Sequence, residues 1–187
     1  MNRSNWDKLI STTGLVITIV LFCTSGVLFY AHNFVHNQVY KQLAAEKIMF
    51  PEAGSAGLTI LPAADQKAVA QYAGQQLTTG AQAEVFADHF IAVHLQKIGG
   101  GKTYSELSGA AMADPSNTVL MNQVNTVFKG EMLRGVLLNA YAFDTMALVA
   151  YYAAWGALAA GTLLVVLSVL GYRHAGAAGR APAKKRR

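Results

Sequence analysis

His32 and His36, in the stretch AHNFVHNQ, stand four residues apart, a spacing that puts two imidazoles on one side of a helix and lets them share an ion. His94 is the third ligand expected for such a metal site, and Asp88, His89 and Glu131 are further side chains able to complete it. Haem is the other group that histidines of this kind can hold. His89 and His94 are five apart, about 140° around a helix, so only one of them can face the first pair. The competing reading starts from the helix itself. Placed at 100° per residue, His32 and His36 fall within about 60° of Val39 and Leu43, so they face apolar neighbours and need hydrogen bonds from Asn33, Asn37, Gln38 or Asn139. The residues favour this second reading, with a metal ion or haem as the minority alternative and no other cofactor expected.

Other chemistry is thinly represented. IGGGKTYSE carries the end of a phosphate-binding loop, but Gln96 stands where its first glycine belongs and the segment follows a helix, so a capping turn is expected. There is no G-x-S-x-G, and the lone Cys23 lies inside an apolar run. Glu131 and Arg134, three apart, read as a surface ion pair. Ala153, Ala157 and Gly161 recur every four residues, a stripe suited to close helix packing.

The elements that must position these residues are set by hydropathy. The chain is 53% hydrophobic and 13% charged, and two uncharged runs, Leu9 to Tyr30 and Thr145 to Tyr172, each exceed the length needed to cross about 30 Å of hydrocarbon as a helix. The first run is longer than the ~7–15 residues of a signal-peptide core and ends in weak cleavage candidates near Ser25 and Gly26, so it is read as an anchor that stays. The chain divides into a tail (1–8), a first span (9–30), a helical domain (31–144), a second span (145–172) and a basic tail (173–187). Eight Lys and Arg lie in the tails against four near the spans in the loop, which puts both termini in the cytoplasm and the domain outside it.

Residues 31–144 carry seven basic and nine acidic groups, so the net charge of +5 comes from the tails and gives no argument for nucleic acid. Within this loop a helix is expected from Pro62 to about Leu77 and a central one over Ala81 to Ile98. A capping box at Thr103 and Glu106 opens a short helix, and Asp114 with Pro115 starts a last helix that runs into the second span, with Gly130 and Gly135 as bends. No repeat and no strand is evident. The fold class is all-α: two transmembrane helices with an extracytoplasmic helical bundle inserted between them.

The segments NFVHNQVYKQLAAEKIMFP, YAGQQ, FIAVHL, GKTYSELS and FKGEMLRGVLLNAYAF resemble a family of two-span membrane proteins from actinobacteria. Some members of that family are labelled as a subunit of an aromatic ring-opening dioxygenase. The resemblance implies that His36, Gln38, His94 and the stretch from Gly130 through Gly135 lie in recurring motifs, and it brings no catalytic residue. The expected function is that of a non-enzymatic membrane protein, an accessory or interaction subunit of an envelope or respiratory complex. Its partners would be the bilayer and either another membrane protein or further copies of itself. A ligand sensor signalling through a partner and a redox protein using His32 and His36 are the rival classes.

Overall fold

The computed structural model describes residues 3–180, with side chains from 5 to 177; Lys184, Lys185, Arg186 and Arg187 of the expected basic tail lie outside the described residues. The fold is all-helical: α1 (Arg3–Glu46), α2 (Ala56–Thr59), α3 (Ala63–Ala70), α4 (Gly80–Val85), a π-helical segment (Phe86–Ile91), α5 (Ala92–Ile98), α6 (Tyr104–Ala113) and α7 (Thr118–Arg180). Two compact units are present, a membrane unit of Met1–Asn33 with Ala147–Arg187 and a helical domain of Phe34–Met146.

The long helices run well past the expected span limits. α1 has 44 residues and α7 has 63, about 66 Å and 95 Å at 1.5 Å per residue. In the most apolar part of each, mean hydropathy reaches 2.1 while 11% and 17% of residues are buried. A helix that formed the core of a soluble protein would hide its apolar side chains. Here Ile10, Val16, Val20, Leu163, Leu167 and Leu170 are all exposed, which suits hydrocarbon. The chain is a multi-pass membrane protein with two candidate spans.

Inside the membrane unit the buried positions recur every seven residues. On α1 they are Ser11, Thr18 and Ser25, and on α7 they are Ala147, Ala154, Gly161, Ser168 and Ala175. A seven-residue period is that of a left-handed helix pair, and small side chains let the backbones approach. Ser25 Oγ donates to the carbonyl of Ala154 at 2.9 Å. Gly14 faces Ser168 Oγ, and Gly171 faces Ser11 Oγ. The four-residue stripe noted in the sequence shares one position with this seven-residue one. Ala153 is exposed and Ala157 half-buried, and of the three only Gly161 is buried, beside Phe22.

The helical domain is built around Phe50, Leu58, Val69, Leu77, Phe86, Ile91, Leu95 and Leu137, with Val39 and Leu43 of α1 buried among them. Between Leu77 and the end of α1 a single antiparallel bridge, Met49 with Gln76, ties the chain, and Gln76 Nε2 donates to the carbonyl of Ala44. Helix α3 ends at Ala70, short of the expected Leu77, and turns lead from it into the bridge. Thr79 and Gln82 form a capping box that opens α4, as Thr103 and Glu106 do for α6. Asp114 does not start α7: it ends α6, and Asn117 Oδ1 accepts from the Leu120 N–H at 3.0 Å to begin α7, which then runs unbroken through Gly130 and Gly135.

Candidate functional sites

Each histidine of the expected metal set has a separate structural engagement. His32 belongs to the membrane unit, where Nδ1 is 2.9 Å from the carbonyl oxygen of Ala147 and the ring lies 4.9 Å from that of Tyr151. Phe29 packs edge-on against Tyr151 and Trp155 in the same aromatic group. His36 belongs to the helical domain and lies 2.8 Å from Asp144 Oδ1. The other oxygen of Asp144 accepts from the Gly80 N–H at 3.1 Å, so one carboxylate joins α1 and α7 and neutralises the positive end of α4. The two histidines thus have a carbonyl and a carboxylate among their partners. Asp144 holds three elements together.

His94 donates through Nδ1 to the Phe90 carbonyl at 2.7 Å and stacks on the Phe90 ring, while His89 pairs with Asp65 at 2.8 Å. Among the described residues no three His, Cys, Asp or Glu side chains gather in a way that could hold a metal ion. The set His32, His36 and His94 is thus not brought together, and no chemistry through a metal is derived.

A charge cluster lies around Arg134. Its Nη2 and Nε donate to the same oxygen of Asp88 at 2.7 and 3.2 Å, and Nη1 lies 3.6 Å from Glu131. The hydrogen bond to Asp88 raises the guanidinium above its ordinary pKa, against the opposing effect of burial. The π-helical segment is what aims Asp88 at α7 and His89 at α3: one extra residue per turn shifts the phase of the helix, so Phe86, Ala87, Ile91 and Leu95 face inward together. Asp65, Asp88, Lys102, Glu131 and Arg134 line an open cavity of 470 Å³. Next to it the Gly99-Gly100-Gly101 turn spends its N–H groups on the carbonyls of Leu95, Lys97 and Gln96, which closes it as a helix end rather than a phosphate cradle. Glu106 takes the Thr103 N–H and hydroxyl, the N–H first in effect, and its pKa is lowered.

The outer face of α7 in the helical domain is of a different kind. Met121, Asn125, Phe128, Met132, Gly135, Asn139, Ala142 and Met146 alternate at spacings of four and three, and every one is exposed; Met132 is 55% and Met146 66% exposed. A Cβ added at Gly135 would meet nothing. Beside this stripe Val136, Leu137 and Phe143 form one wall of a 580 Å³ groove whose other wall is Val39, Leu43 and Ile48. Sequence reading missed the stripe because the apolar residues of α7 occupy nearly every face; the three-four spacing is its one signal.

Comparison with protein-family models, with curated proteins and with solved structures finds no match.

Proposed function

We propose that this protein is a non-enzymatic accessory or interaction subunit of a membrane complex, anchored by two spans and engaging its partner through the helical domain. The observation that carries this reading is the exposed stripe from Met121 to Met146. An exposed row of methionine, phenylalanine, asparagine and small residues at coiled-coil spacing is a surface suited to another helix. The polar groups that sequence offered for chemistry support it from the other side, since His32, His36, His89 and the Arg134 cluster each reach a partner on another element. The charge distribution of the tails favours both termini in the cytoplasm and the domain outside. A membrane-impermeant thiol reagent should then label Met112→Cys in intact cells in a Cys23→Ser background.

The test is purification of the full tagged chain in mild detergent, beside Met132→Asp. A stoichiometric membrane-protein partner or further copies of the chain, lost in Met132→Asp, is the expected result. Recovery of the chain alone and monomeric overturns the reading. The cavity beside Arg134 favours ligand sensing as the second reading, with a small charged molecule as the occupant. A thermal shift of the full chain that Arg134→Ala removes would support it, and no shift across a panel of amino acids and amines would count against it.

A further inference from the structure

The exposed stripe on α7 constrains what can cover it. Copies of one chain insert into a membrane the same way round, because the same flanking charges orient each of them. Their α7 helices therefore run parallel, and two such helices brought together meet residue against the same residue. In that arrangement a seam needs three properties: spacing of three and four over several turns, small residues where backbones come close, and polar residues able to satisfy their own copies. Met121–Met146 has all three. The spacing holds without a break. Gly135 and Ala142 occupy the position four residues before Asn139 and Met146, and nothing in the chain's own fold explains Gly135. Asn125 and Asn139 stand two heptads apart at the other core position, where paired asparagines hydrogen-bond each other and fix a parallel two-stranded register.

We propose that the occupant of this stripe is a second copy of the chain, packed parallel and in register along Met121–Met146. The proposal rests on the reading of the stripe as an interaction surface and names its partner. A foreign helix would meet these asparagines with unrelated side chains, whereas a second copy supplies the matching amide at the same height.

The experiment uses the full chain in native membranes, with Cys23→Ser to remove the one native thiol. Single cysteines are placed on the stripe by Asn125→Cys, Met132→Cys and Asn139→Cys, and off it, at exposed positions of the same helix, by Val119→Cys and Thr126→Cys. Mild oxidation should give disulfide-linked dimers from the three stripe positions and none from the two controls. Mixing an Asn125→Cys copy with an Asn139→Cys copy should give no heterodimer crosslink, since in register the two sulfurs are about 21 Å apart. Absence of crosslinks at the stripe, equal crosslinking at the controls, or an efficient mixed crosslink each overturns the proposal. If the stripe fails to crosslink while purification still yields a foreign membrane protein that Met132→Asp releases, the interaction reading stands and the second copy does not.

Discussion

Replacing Gly130 by alanine sets two effects of known sign against each other. Gly130 lies on α7 against Leu95 of α5; a Cβ there would overlap Leu95 Cδ2 and stand 3.1 Å from Cδ1 and Cγ. Carbon atoms in contact prefer about 3.5–4.0 Å, so something must move. Leu95 is 7% exposed and packed in the core, with one edge on the open cavity beside Arg134 that takes up only part of the displacement. Overpacking of this kind costs about 1–3 kcal/mol, and alanine in place of a helical glycine returns about 1 kcal/mol. The net expectation for Gly130→Ala is a loss of about 1 kcal/mol. Gly109 on α6 is the matched control, because a Cβ there meets nothing and only the gain of up to about 1 kcal/mol remains. For a chain of this size 1 kcal/mol moves the midpoint by about 2–4 °C, so thermal unfolding in mild detergent should place Gly130→Ala below the parent and Gly109→Ala above it. Leu95→Ala should cost about 2–5 kcal/mol alone, and less by at least about 1 kcal/mol when combined with Gly130→Ala, whose methyl then fills part of the cavity. A Gly130→Ala protein as stable as the parent, or strict additivity in the double variant, would refute this account of the α5–α7 contact.

Asp144→Ala removes a helix-end acceptor for α4 and the partner of His36. It should destabilise the helical domain by about 1–2 kcal/mol, of which the half-exposed His36 pair supplies the smaller share, and should speed hydrogen exchange at Gly80 and its neighbours. Arg134→Ala leaves Asp88 and Glu131 without their cation, and a loss of about 1 kcal/mol is expected after allowing for their exposure, with Arg134→Lys intermediate because a lysine cannot reach Asp88 with two donors. The lowered pKa of Glu106 gives a pH effect with a defined sign. Its contribution to the α6 capping box is fully present above the ordinary glutamate range and is lost as pH falls through its lower folded value, so amide exchange at Thr103 and Glu106 should accelerate only in acid. Glu106→Gln should flatten that dependence.

Local signals in the sequence carried much of the helical domain. The Thr103–Glu106 capping box is written in four adjacent residues, and so is the Thr79–Gln82 box, which the same rule would have found. The end of α6 misled because Asp-Pro is as good at stopping a helix as at starting one. The two spans were legible as runs of hydropathy, but their packing was not: small residues are so common in α7 that a four-residue stripe and a seven-residue one can both be drawn, and only the position of α1 selects Ala147, Ala154, Gly161, Ser168 and Ala175. The contacts of Arg134 with Asp88, 46 residues away, and of His36 with Asp144, 108 away, are tertiary facts with no local trace. The π-helical segment that re-aims Asp88 and His89 likewise depends on packing at both ends. Hence the local pair of Arg134 with Glu131 was legible, while the distant partners Asp88 and Asp144 were not.

The central claim, that the exposed stripe of α7 is where this membrane protein meets another chain, is tested most directly by the mass of the particle extracted in mild detergent. Native mass spectrometry should find an assembly of at least two chains, with twice the 19.9 kDa polypeptide as its simplest form. Met132→Asp and Phe128→Asp should reduce it to a single chain, and Val119→Asp should leave it intact. A particle containing one polypeptide in the parent protein, or an assembly untouched by charges placed on the stripe, would contradict the claim.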